Sequence, residues 1–302
     1  MKILPIALVF LVLTSCIDFR SESSGSTELQ IDANDKYELI KPKSGVREVL
    51  VLFGGYPERI ADVKREFRIS DIAKQYGVSV LFMNYNQKLW LEEGEKEELA
   101  KRIQRIFDEN KLPASQVYFG GYSSGGNVAL LLSDYLLQEN AKLAPQGVFV
   151  IDSPIDLVAL YRSSVKNIKR NFSEPSVRES AWIIETLGEK FGHPDTAISN
   201  YETYSILTLE TKNFQNISNL KDVKIRLYSE PDTAWWKENR MADPDQMNAY
   251  YLERLSKLLQ DSGFQEVEYI PTENKGYRAN GERHPHSWSI VDKEGLMEWI
   301  KE

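Results

Sequence analysis

Val117-Tyr118-Phe119-Gly120-Gly121-Tyr122-Ser123-Ser124-Gly125-Gly126 is the stretch on which the reading of this chain turns. An apolar run ending in glycines reads as a strand reaching its end, and the apolar residues 128–137 that follow read as a helix. Between the two, residues 121–125 fit the pattern Gly-x-Ser-x-Gly. Alone the pattern is weak, because with Gly and Ser each near about 7% of residues roughly one 300-residue chain in ten contains it by chance. Between a strand and a helix it has a mechanical meaning. A sharp strand-to-helix turn strains the backbone at Ser123 and leaves no room for side chains two residues to either side. Such a turn lifts the hydroxyl out at the C-terminal edge of a sheet, above a helix N-terminus whose partial positive charge favours an oxyanion. The plainer reading, a glycine-rich turn with a helix-capping serine, accounts for less of this context. Ser124 suits capping with its side chain, while its N–H would serve the oxyanion.

Working outward, residues 49–53, 78–83, 147–151, 223–228 and 267–270 are further short apolar runs. Continuous rather than alternating hydrophobicity is what strands buried on both faces require, as in a parallel sheet. Between them, Leu99, Ile103, Ile106 and Phe107 recur at helical spacing, as do Met247, Tyr251, Leu255, Leu258 and Leu259, and then Leu296, Trp299 and Ile300. The alternation predicts an α/β fold with a mostly parallel, doubly wound sheet. Residues 156–222 break the rhythm; they are long and polar, with their clearest helix at 177–191. They read as a helical cap inserted before the penultimate strand.

A serine nucleophile needs a base, and the chain has only three histidines: His193, His284 and His286. His286 lies on the loop after the last strand, at the same sheet edge as Ser123. His284, two residues earlier, would point elsewhere in an extended segment. His193 falls in the cap as a loop residue. A metal site at His284 and His286 would need further ligands, and neither a thiol nor another histidine lies nearby. The acid is expected after the penultimate strand, where Asp232 would accept the second imidazole N–H of His286 and stabilise the imidazolium. Glu230 and Asp152, each at a strand end on that edge, are its rivals.

The order Ser123, Asp232, His286 resembles that of the α/β-hydrolases over about residues 45–302. The resemblance implies an oxyanion hole made by the N–H of Ser124 and that of Gly55 or Tyr56, in Phe53-Gly54-Gly55-Tyr56. Phe53 stands where some esterases of that fold carry a histidine. It further implies a serine hydrolase that forms an acyl-enzyme, with esters preferred to amides by analogy with capped hydrolases and no cofactor called for. Tyr122, Trp235, Trp236 and Asn86 are the candidate substrate contacts. The alternatives are a serine peptidase of the same fold and a non-catalytic, glycan-binding lipoprotein on a hydrolase scaffold.

The 302 residues are 42% hydrophobic and 27% charged, as in ordinary globular proteins, with a net charge of −8. An acidic chain with no basic stripe is a poor nucleic-acid binder. Residues 1–15 carry a short positive start and an apolar run about half the roughly 20 residues that a spanning helix needs. The run ends in Leu13-Thr14-Ser15-Cys16, which resembles the bacterial lipobox and holds the chain's single cysteine. Cleavage before Cys16 and its lipidation would anchor the protein in the cell envelope by a flexible tether at 16–36, ahead of a domain at 37–302. Ile17, where some inner-membrane lipoproteins carry Asp, favours the outer membrane.

Overall fold

The apolar runs become strands whose side chains leave alternately from two covered faces. The computed structural model describes residues 29–43, 45–85 and 88–302. In chain order its elements are β1 (Leu29–Ala33), β2 (Tyr37–Pro42), β3 (Val49–Phe53), α1 (Ile60–Phe67), α2 (Ser70–Tyr76), β4 (Ser79–Met83), α3 (Glu93–Asn110), β5 (Val117–Tyr122) and α4 (Ser124–Gln138). There follow β6 (Pro145–Ile151), α5 (Leu157–Arg170), α6 (Glu174–Phe191), α7 (Pro194–Glu202), β7 (Lys224–Ser229), α8 (Thr233–Arg240), α9 (Asn248–Asp261), β8 (Val267–Pro271) and α10 (Lys293–Lys301).

The eight strands form one sheet in the order β1-β2-β4-β3-β5-β6-β7-β8. Pairing is parallel from β4 through β8 and antiparallel at β1–β2 and β2–β4. In β3, Val49, Val51 and Phe53 join a core packed with side chains of α3, α4 and α9, whereas Leu50 and Leu52 join one packed with α1, α2 and α10. Two apolar faces explain why the run in the sequence is unbroken. Each large side chain so buried is worth about 1.5–3 kcal/mol. Among the described residues no helix is long and apolar enough to cross a membrane.

Two boundaries differ from the sequence reading. Residues 29–33, assigned to the tether, are the edge strand β1, paired with β2 over its whole length. Little of β1 is buried, Ile31 being 62% exposed, so hydrophobicity gives no sign of it. Its hold is the backbone ladder together with the Tyr37 hydroxyl, which donates to Asp32 at 2.7 Å. Residues 34–36, also assigned to the tether, link β1 to β2, and residues 1–28, Cys16 among them, lie outside the described residues.

The cap is also shorter than 156–222. Helices α5, α6 and α7 close around their own cluster of Leu157, Val158, Tyr161, Ile183, Leu187, Phe191 and Tyr201, with Trp90 entering from the loop after β4. Beyond α7, Ile206, Leu207, Ile217 and Leu220 belong to the main core. Leu209 and Phe214 pack against that core from its margin, and Ser205 and Thr208 are buried among it, so a largely polar segment still belongs to the main body.

Candidate active site

Ser123 sits between β5 and α4 with φ +52° and ψ −128°, a left-handed backbone that costs about 1–3 kcal/mol in a residue with a side chain. The strain is held from both sides: the Ser123 N–H donates to Ile151 O at 2.9 Å, and the Gly126 N–H donates to Ser123 O at 3.0 Å. The flanking glycines are steric requirements. A Cβ on Gly121 would collide with the Gly125 carbonyl, and one on Gly125 with the Phe53 carbonyl. Neither backbone can move aside without opening the turn.

The register of β5 and β6 sets what lies next to the serine. Tyr122 pairs with Ile151, so Ser123 and Asp152 leave adjacent strands at the same level. Asp152 too is left-handed, at φ +45°, with its N–H donated to Tyr228 O at 2.9 Å and its carbonyl held by the Asn248 amide at 2.8 Å. The kink turns its carboxylate to the Nδ1 of His286, 2.6 Å away. With that N–H given to the carboxylate, Nε2 is left unprotonated as the basic atom of the ring. The partner of His286 is therefore Asp152, and the assignment of the acid to Asp232 is corrected.

Asp232 is occupied elsewhere. It caps α8, one oxygen accepting the Trp235 N–H at 2.9 Å, and its other oxygen pairs with Arg283 at 2.7 Å. Glu230, nearly inaccessible, accepts from the N–H groups of Lys275 at 2.9 Å and Gly276 at 2.7 Å and pairs with the same Arg283 guanidinium. Arg283 also donates to Gly276 O at 2.8 Å, and the His284 N–H donates to that same carbonyl at 2.9 Å. These bonds shape the loop that carries His286. From the other side the Tyr122 hydroxyl donates to the His286 carbonyl at 2.9 Å, and its ring lies 4.6 Å from the imidazole between centroids. Tyr122 is buried, which pushes its hydroxyl well above the usual phenol range. It supports the histidine loop and contributes one wall to the cleft beside it.

The loop after β3 lies against Ser123. A Cβ on Gly55 would stand 2.9 Å from the Ser123 Cβ, so only glycine lets the loop approach this closely. The Gly55 N–H is committed to Glu58 at 2.9 Å, which removes it from the expected oxyanion donors. The Tyr56 N–H donates to Ser124 Oγ at 3.0 Å, beside the first turn of α4. Backbone N–H groups there have no acceptor four residues back. The Ser124 hydroxyl thus holds the Tyr56 N–H at the start of α4, one residue from the turn at Ser123. Glu58 itself is half-buried and accepts the Trp288 Nε1–H at 3.0 Å; desolvation raises its carboxyl above the usual range against the pull of these hydrogen bonds.

A polar cleft of about 240 Å3 opens beside His286, with Glu58, Tyr122, Arg278 and Trp288 among its walls. His284 points away from it. Its ring is buried against Trp235 at 4.7 Å and Trp236 at 5.9 Å, and burial followed by neighbouring positive charge lowers it to about 3. The two tryptophans of α8 therefore pack behind the histidine loop. Among the described residues no cluster of three or more His, Cys, Asp or Glu side chains forms that could hold a metal ion. His193 caps α7 through its Nδ1. Asn84 donates to Asp35 O on the antiparallel side of the sheet, and Asn86 lies outside the described residues.

Glu58, Asn248 and Trp288 escaped the sequence reading. Each acts through a contact 96 or more positions away in the chain, to Trp288, Asp152 and Glu58 respectively, and no local pattern marks them.

No family model matches the chain, and no curated protein is similar to it in sequence. Solved structures are similar in fold. An esterase of Rhizomucor miehei superposes with a TM-score of 0.57 at 14% identity, over 91% of this chain and 82% of that one. An esterase of Pyrobaculum calidifontis gives 0.56 at 15%, over 91% and 85%. Carboxyl esterase 2 of Tuber melanosporum gives 0.55 at 16%, over 92% and 87%. With the strand order, the turn at Ser123 and the histidine loop after β8, the chain has the α/β-hydrolase fold.

Proposed function

We propose that the protein is a serine hydrolase that cleaves carboxylic esters. The observation that carries this reading is the hydrogen-bonded pair of His286 and Asp152 on the sheet edge where the strained turn presents Ser123. In this mechanism Ser123 Oγ attacks the ester carbonyl carbon while its proton passes to His286 Nε2. The negative charge formed on the carbonyl oxygen is met by the N–H groups of Ser124 and Tyr56, the latter exchanging its bond to Ser124 Oγ for one to the substrate. Asp152 stabilises the imidazolium, which protonates the departing alkoxide. Water then attacks the acyl-enzyme by the same route, returning the proton to Ser123 and releasing the acid. The solved structures of similar fold named above are esterases, which supports esters over amides. The lipobox-like Leu13-Thr14-Ser15-Cys16 supports lipid anchoring in a bacterial envelope, with Ile17 favouring the outer membrane.

The test is turnover of p-nitrophenyl esters from acetate to octanoate by the chain from Ile17 onward, beside Ser123→Ala and an aminoacyl-nitroanilide. Ester turnover is expected, with a loss of at least about 10³-fold in Ser123→Ala. Preferential cleavage of the nitroanilide would make the protein a peptidase. A folded protein that turns over neither substrate and takes up no fluorophosphonate would overturn catalysis and leave a binding role.

A further inference from the structure

Two large aromatic rings, one on the loop after β3 that approaches Ser123 and one on the cap, have no part in any buried cluster. Tyr56 is 52% exposed and Trp182, on cap helix α6, is 38% exposed. Helix α6 turns Ile183, Leu187 and Phe191 into the cap's own core and leaves Trp182 outside it. Tyr56 follows Gly55, whose backbone lies against the nucleophile, and its own N–H is fixed on Ser124. The two rings stack on each other, 5.2 Å between centroids and 10° from parallel. The contact joins the cap to the loop whose Gly55 lies against Ser123, one residue along the chain from that approach. Singly exposed apolar residues are ordinary, whereas these two rings, carried by separate elements, are stacked into one exposed apolar surface.

The geometry points to Tyr56 and Trp182 as an aromatic subsite that takes a planar ring of the substrate, either by lengthening the stack or by entering between the two rings. This assignment rests on the ester-hydrolase reading and adds a substrate class to it: esters carrying a flat aromatic group on the acyl or the alcohol side. Nearly parallel rings offer a flat aromatic group full face contact, and a puckered saturated ring of equal size much less.

The test uses two matched ester pairs that differ in ring flatness while the carbonyl and leaving group stay nearly equal in reactivity. Methyl phenylacetate against methyl cyclohexylacetate probes the acyl side, and benzyl acetate against cyclohexylmethyl acetate the alcohol side. In one pair the wild-type kcat/KM is expected to favour the aromatic member by about threefold to tenfold. Trp182→Ala is expected to abolish that ratio and Trp182→Phe to keep most of it. A ratio near one in both pairs overturns the subsite. So does a ratio unchanged in Trp182→Ala, including the case where that variant loses activity on every ester alike, because the stack would then only tie the cap to the sheet. Binding of the same four esters to Ser123→Ala, by NMR titration, gives the ratio without turnover. A preference in binding with no hydrolysis by the wild type would refute the esterase reading and leave the subsite standing, while equal binding would remove the subsite whatever the turnover.

Discussion

The ends of β6 and β7 are neighbours in the sheet, with Ile151 paired to Tyr228, and both strands run directly into acidic residues. At the end of β6 the chain kinks to φ +45° and swings Asp152 onto His286. At the end of β7 the backbone makes no such kink, and Glu230 is met by two N–H groups of the histidine loop and by Arg283, which Asp232 also engages. The residue types are interchangeable in principle. What separates them is backbone direction: one carboxylate meets the imidazole, and the others hold the loop on which the imidazole rides.

That comparison can be broken outright by Asp152→Asn against Asp232→Asn. Asparagine at 152 keeps the shape and loses the charge that sets the imidazole's tautomer, so kcat is expected to fall by about 10⁴-fold. At 232 an Asn still caps α8 and loses only a partly exposed ion pair worth about 0–1 kcal/mol, leaving turnover within about threefold. Reversal of the two effects in p-nitrophenyl ester kinetics would return the acid to β7. The next effect in size is on stability. Glu230→Ala removes the buried acceptor of two loop N–H groups while Arg283 keeps Asp232, and a loss of about 1–3 kcal/mol is expected in denaturant unfolding. A loss below about 1 kcal/mol would mean that the loop keeps its shape without Glu230.

The smallest effect is one of pH. The folded protein holds His284 at about 3 against 6.5 for the free side chain, burial being the main cause. Between these values the unfolded chain binds a proton that the folded one does not. His284 therefore lowers stability as pH falls from 6.5 to 3 and contributes nothing to the slope above 6.5. Replacing it by Gln is expected to flatten the Tm–pH curve within that window, and an unchanged slope would place the ring in contact with water.

Much of the arrangement was legible because it is local. The strand, the turn and the helix around Ser123 occupy one continuous segment, and steric rules name the glycines at 121 and 125. His286 was legible by scarcity, as one of three histidines and the one carried past the last strand to the correct edge. The acid was not. Position after the penultimate strand favoured Asp232, but the choice depends on a positive φ at Asp152 that is enforced by Tyr228 and Asn248. Strand β1 was hidden for another reason: a thinly buried edge strand leaves almost no hydrophobic pattern to read.

Composition, periodicity and one short motif were enough to determine an α/β sheet, a serine on a strained turn and a histidine on the loop after the last strand, since each depends on neighbours in the chain or on rarity. Tertiary structure alone decided which carboxylate meets the imidazole, that Glu58 takes up the Gly55 N–H, and that Trp182 of the cap stacks on Tyr56. Those outcomes depend on where the chain's ends of strands and its cap meet in space, between residues too far apart in sequence for any local preference to record.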